Sequence, residues 1–263
     1  MNRPLGRMIA VASGKGGVGK TVVAAGLAQA FARRGERVLL FDGDLGMANV
    51  DVQLGLTPAA DLGAVIAGRT PLDGAISPAM GGSIRASRGG FDVIAGRSGS
   101  GALAGVSAEQ AGRLATALSA VSLSYDRVLM DLAAGAGPSL LRMAAAADDV
   151  LAVVTSEPTA MTDAYAFVKM LRMRDEGAAP MVAVNLAESR AHGERVHEGF
   201  AKTCRSFLDF DPAFAGPIRR DPAVPASVRR QQGLFEHAPD CKAAADITAM
   251  AAALAGATAV RAA

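Results

Sequence analysis

The run Gly14-Lys15-Gly16-Gly17-Val18-Gly19-Lys20-Thr21 constrains this chain more than any other feature. It fits the spacing G-x-x-x-x-G-K-[ST]. An apolar stretch over 8–12 leads into it, and a helical pattern leaves it, with Val22, Ala25, Ala28 and Phe31 at helical spacing. A buried strand, a glycine loop and a helix in that order form an anion cradle. The glycines let backbone amides curl round phosphate oxygens without Cβ clashes. The helix N-terminus adds partial positive charge. Lys20 is placed to bridge the β- and γ-phosphates of a nucleotide, and the Thr21 hydroxyl to ligate Mg²⁺.

The rest of the chain supplies the scaffold such a loop needs. Continuous apolar runs over 8–12, 38–41, 91–94, 127–130, 150–154 and 181–184 predict strands, with a seventh near 214–217. They do not alternate with polar residues, as expected when both sheet faces are covered. Helical patterns fall between them at 21–34, 108–122, 159–174, 188–207 and 241–255. Strands separated by helices imply βαβ units. The expectation is an α/β fold of three layers, a mostly parallel central sheet with helices on both faces, built as a single domain over 1–263. Gly81–Gly82 and the stretch 96–105 read as surface loops.

Composition narrows the chemistry by exclusion. A formal charge of +2 points to no particular class of partner. Cys204 and Cys241 are the only cysteines, and no Cys/His cluster has zinc-ligand spacing, so both read as reduced thiols. Arg3 and Arg7 precede 8–12 much as in a signal peptide, but the apolar run is too short. His192, His197 and His237 lie outside every motif.

Acidic residues stand where a nucleotide site would want them. Asp42 and Asp44 close the second strand, and carboxylates at the C-terminal edge of a parallel strand face the ligand crevice. Positions two apart share a face of an extended chain. A capped Asp/Gly turn is the structural alternative for both. Asp131 follows the apolar run 127–130, and an aspartate at such a tip can hold Mg²⁺ through water. Asn185 ends the strand 181–184; its amide donates and accepts at once, which suits a purine edge, although asparagine also simply ends strands.

The double-lysine loop from Lys15 to Thr21 resembles the deviant Walker A signature of the MinD/ParA class. The resemblance implies an ATPase switch that binds ATP or ADP with Mg²⁺ and dimerises with ATP. In it Lys15 would reach the partner's nucleotide. It implies that Asp44 orients the attacking water, that Asp42 sits near the metal held by Thr21 and Asp131, and that the Gly135 amide approaches the γ-phosphate. Gly14, Gly16, Gly17, Val18, Gly19, Lys20, Thr21 and Val22 would line the phosphates. Asn185 would read adenine, with Pro217 and Asp221 in a loop over the base. Leu132 stands where the class has Ser or Thr, a departure that bears on the hydrolysis rate.

Within that class, Asp42-Gly43-Asp44-Leu45-Gly46-Met47-Ala48-Asn49-Val50-Asp51-Val52-Gln53-Leu54-Gly55 resembles the D-x-D-L-G-x-A-N-x-D-x-x-L-G pattern of the flagellar-number regulators FlhG, also called FleN or YlxH. The segments 154–165, 221–224 and 229–231 extend the likeness. It implies regulation of flagellar number or placement in the cytoplasm, with an FlhF-like GTPase or a flagellar protein as partner and a peripheral contact with the inner face of the membrane. Few residues precede the first strand, so the extension with which relatives activate FlhF is not expected. The tail carries Ile247, Met250 and Leu254 but only Lys242 and Arg261 as cations, so it reads as a helix packed on the domain rather than a membrane anchor. A ParA-like DNA-partitioning ATPase, using Arg219, Arg220, Arg229 and Arg230, and a MinD-like division-site ATPase are the rival readings. Nucleic acid is the weaker of these partners, because no aromatic residues interleave with the arginines.

Overall fold

The computed structural model describes residues 6–44, 48–79, 90–96 and 106–261, with side chains to residue 256. The strands are β1 (Arg7–Ser13), β2 (Val38–Gly43), β3 (Ile76–Ala79), β4 (Phe91–Ile94), β5 (Arg127–Ala134), β6 (Asp149–Val154), β7 (Met181–Ala187) and β8 (Phe214–Arg219). The helices are α1 (Lys20–Arg33), α2 (Val50–Leu54), α3 (Leu62–Ile66), α4 (Ala108–Ser122), α5 (Pro138–Ala144), α6 (Pro158–Arg174), α7 (Arg190–Leu208), α8 (Ala223–Arg229), α9 (Leu234–His237) and α10 (Lys242–Arg261). The strands form one sheet in the order β3-β4-β2-β5-β1-β6-β7-β8. Every neighbouring pair is parallel except β3 with β4.

Covering both faces follows from the apolar strands. Along β1, Met8, Ala10 and Ala12 join one core while Ile9 and Val11 join the other. The first core takes side chains from α4, α5, α6 and α7; the second takes them from α1, α9 and α10. Successive strand residues point to opposite faces, so a strand buried on both sides is apolar at every position.

All seven strands expected from sequence are present, several one to four residues longer at their ends. The eighth, β3, is an antiparallel edge carrying Pro78. Proline lacks a ladder donor and is tolerated at an edge, which is why its presence hid this strand. The five long helices also stand where periodicity placed them; α5 and the other short helices span too few turns to show a period. The glycine-rich segments around 81–82 and 97–105, and the motif residues 45–47, lie outside the described residues.

The C-terminal helix is part of the core. Ile247, Met250 and Leu254 are buried, packed against α1 and β8. Asp246, 3% exposed, accepts from the Arg219 backbone amide at 3.0 Å and its Nε at 2.7 Å, and from Arg190 Nη2 at 3.1 Å. One buried carboxylate thereby ties α10 to β8 and α7. Arg219 is spent on this pairing, which removes it from a free basic face.

Candidate functional site

β1 is flanked by β5 and β6, and its C-terminal end releases the glycine loop onto α1. The loop is seated by its neighbours. A Cβ at Gly14 would collide with the backbone of Asp163 and Ala164 on α6, so the loop can lie against that helix only without a side chain there. Gly19 has φ +92, in the left-handed region, and its missing side chain leaves room for the Asn185 amide. Asn185 Nδ2 donates to the Val18 carbonyl at 2.8 Å. Around it, β7 and β8 slip register between Val184 and Ala187, and Leu186 is held at φ 57. Such bulges re-aim side chains at sheet ends.

The acidic groups gather beside the loop. Asp42 and Asp131 are direct register partners on β2 and β5. Asp42 is fully buried and accepts from the amides of Asp44 at 3.3 Å, Asn49 at 3.2 Å and Val50 at 3.1 Å. It therefore anchors the start of α2 as well as facing the site. Burial, and then the Asp131 charge, pushes its pKa up to about 7. Burial likewise lifts Asp131 to about 6, against the pull of the Thr21 hydroxyl bonded to it and the Lys20 ammonium. Lys20, 8% exposed, has its pKa lowered by burial, while Asp131 and Asp44 work in the opposite direction. Thr21, Lys20, Asp44 and Asp131 thus share one electrostatic cluster.

One atom in that cluster lacks a partner: Asp131 Oδ1 is buried without a hydrogen bond. An orphaned carboxylate oxygen beside a threonine hydroxyl, with two carboxylic acids held above their ordinary pKa, suits a hard divalent cation. No group of three or more His, Cys, Asp or Glu side chains forms a closed cage among the described residues. That suits Mg²⁺, which keeps several waters and shares its ligands with phosphate.

The remaining expected residues are placed as follows. Gly16 and Gly17 have open space where a Cβ would stand, Val18 is buried, and Val22 is half-buried on the first turn of α1. Gly135 lies just past β5, and its amide donates to the Ser13 carbonyl at 2.9 Å. Pro217 lies within the edge strand β8, opposite Val184 and against Gly193 of α7. The Asp221 carboxylate accepts from the amides of Ala223 and Lys242, each at 2.9 Å, so in this structure it joins the starts of α8 and α10. Leu132 is buried against Gly43.

Sequence reasoning missed the partners of Lys15. Its ammonium donates to Glu157 Oε2 and Thr159 Oγ1, both at 2.8 Å. Glu157 and Thr159 stand at the start of α6, more than 140 positions away, and no sequence pattern joins them to the loop.

A strand–glycine loop–helix cradle with Lys20, Thr21 and Asp131 on a parallel sheet defines a P-loop nucleoside triphosphatase of the α/β class. The CobQ/CobB/MinD/ParA nucleotide-binding domain model matches residues 9–235. The antiactivator FleN of Pseudomonas aeruginosa is 39% identical over 246 residues, covering 93% of this chain and 85% of FleN. The flagellum site-determining protein YlxH of Helicobacter pylori is 28% identical over 89% of this chain and 76% of its own length. The septum site-determining protein MinD of Pyrococcus horikoshii, solved with Mg-ADP, superposes with a TM-score of 0.77 at 23% identity, covering 94% of this chain and 95% of that one. The chain belongs to the CobQ/CobB/MinD/ParA nucleotide-binding domain family and, within it, groups with the flagellar regulators of the FleN/YlxH type.

Proposed function

We propose that the chain is an ATP-driven switch that dimerises with ATP and sets flagellar number or placement. The observation that carries this is the pair Lys15 and Lys20 on one phosphate loop, with Lys20 beside Asp44 and Asp131, in a chain 39% identical to FleN. Gly14, Gly16, Gly17, Val18 and Gly19 present backbone to the triphosphate, and Val22 continues that lining on the helix. Thr21 and Asp131, with Asp42 paired beside Asp131, would hold Mg²⁺; the ion would supply charge neutralisation at the phosphates. Lys20 balances charge on the transferring phosphoryl group.

Asp44 orients a water whose oxygen attacks the γ-phosphorus. The bond from that phosphorus to the bridging oxygen breaks, and ADP leaves with the electron pair. The proton of the water passes to phosphate oxygens and solvent. Gly135 trades its bond to Ser13 for the γ-phosphate. Asn185, with Pro217 and Asp221 nearby, faces the base. Lys15 leaves Glu157 and Thr159 when it reaches a second subunit. Turnover is slow and waits for a partner, with an FlhF-like GTPase or a flagellar protein as the candidate. The chain acts as a single unit in the cytoplasm, with any membrane contact peripheral. No helix among the described residues is long and apolar enough to cross a membrane.

Size-exclusion chromatography with light scattering tests this. Mg-ATP should shift the protein from monomer to dimer, and ADP should not. Retention as a monomer with ATP, in wild type and Asp44→Ala alike, would overturn the proposal.

A further inference from the structure

Helix α4 carries a glycine in its interior, Gly112, although glycine there costs helix stability relative to alanine. The structure gives the reason. The Arg142 guanidinium, from the last turn of α5, lies across that position: a Cβ at 112 would stand 3.2 Å from its Nε and 3.4 Å from its Nη2. Beside it opens a cleft of about 240 Å³ between α4, α5 and α6, lined by Gly112, Thr116, Ser119, Arg142 and Arg174 among others.

The charge balance of this cleft is one-sided. No acidic side chain lines it, and neither arginine forms an ion pair or hydrogen bond among the described residues. The acids that adjoin these positions in sequence are engaged elsewhere: Glu109 with Arg113 at 2.6 Å, and Asp175, next to Arg174, with the Gly177 amide at 2.9 Å. The Thr116 and Ser119 hydroxyls donate back to α4 carbonyls at 3.1 and 3.0 Å. Cations in the last turns of α5 and α6 do complement the helix dipoles. That accounts for arginine at these positions, but not for the glycine that seats one of them or for a concave surface without a counter-ion.

The apolar part of the cleft's lining comes from Ala115, Ala145 and Ala146. At about 240 Å³ the cleft is smaller than the ~300 Å³ at which small-molecule pockets begin, a size that suits a side chain better than a nucleotide. In a parallel βαβ fold, helix C-termini lie at the sheet edge opposite the strand ends that bear the phosphate loop. Occupation of one site therefore leaves the other free.

We propose that Arg142 and Arg174 form a docking site for an acidic segment of a partner protein, one carboxylate entering between the two guanidiniums and an adjacent apolar side chain resting on the alanines of the lining. Guanidinium forks match carboxylates in two-point geometry. The test is fluorescence polarisation of the full chain with a labelled hexapeptide of alternating glutamate and leucine. Saturable binding that weakens with salt is expected. Arg142→Glu or Arg174→Glu should weaken it by at least ~tenfold, as for loss of a charge-assisted bond. Gly112→Ala should displace Arg142 and weaken binding while leaving the melting temperature equal or higher, which a merely structural role would not do.

Nucleotide binding is read in parallel and should stay unchanged. Absence of binding, equal binding by the variants, or equal binding of a lysine–leucine peptide overturns the proposal. Inorganic phosphate binding as tightly, with the same loss in the variants, would make this a free-anion site and overturn it as well.

Discussion

Lys15 reaches two groups of its own chain, Glu157 and Thr159, each at 2.8 Å. On the proposed switch mechanism, Lys15 gives these bonds up before it crosses to a second subunit, so they would set a threshold on dimerisation. Glu157→Gln should lower the ATP concentration at which the dimer appears, and Lys15→Ala should abolish the dimer, both read by light scattering. Asp44→Ala should cut phosphate release by ~10²–10⁴-fold, the range for loss of a group that positions or deprotonates the nucleophile, and should accumulate the dimer.

The buried carboxylates predict a pH dependence as well. Asp42 and Asp131 hold protons up to about 7 and about 6, above the ordinary 3.8. The folded chain therefore keeps protons that the unfolded chain releases. Their contribution to stability is full below pH 3.8 and is lost as pH climbs through 6 to 7. Thermal melts of metal-free protein should show that decline, and Asp42→Asn should flatten it. A single run of sequence exposed the loop lysines and threonine. The bonds from Lys15 to Glu157 and from Asn185 to Val18 join positions 142 and 167 apart and arise only from packing.

At the scale of elements, α1 and α2 couple structure to the site. Helix α1 starts on Lys20, so its first turn is the phosphate cradle while its remaining length is buried against the sheet and α10. Helix α2 hangs from Asp42 at its start, and its mid-helix Val52 carbonyl accepts from Gln231 Nε2 at 3.0 Å. Ile247 of α10, fully buried, meets α1 at Gly26. Ile247→Ala should destabilise the chain by ~2–5 kcal/mol in denaturant unfolding, as for a large-to-small core change.

The long elements were legible because burial on two faces writes continuous apolar strands, and because amphipathic helices repeat every 3.6 residues. Where an element is brief, as in α5, or contradicts propensity, as in β3 with Pro78, its existence depends on the neighbours it packs against. The same limit applies at the site. Asp42 and Asp131 were each visible at a strand end, but their pairing across adjacent strands follows from the order β2-β5-β1, which no local pattern specifies.

For the molecule as a whole, nucleotide binding should act as folding energy. A ligand held only by the native state stabilises it by about 2.7 kcal/mol at a hundredfold excess over its Kd. Mg-ADP should therefore raise the melting temperature, and Lys20→Ala should erase that rise in differential scanning fluorimetry. The last helix bears on how genetic experiments are read. Its apolar residues Ile247, Met250 and Leu254 fill the groove between α1 and β8, and its buried Asp246 fastens Arg219 and Arg190. A strain lacking residues 242–261 would lose the floor beneath its own phosphate cradle. Its aberrant flagella would report a missing protein rather than a mislocalised one, and an immunoblot should precede any microscopy of that allele.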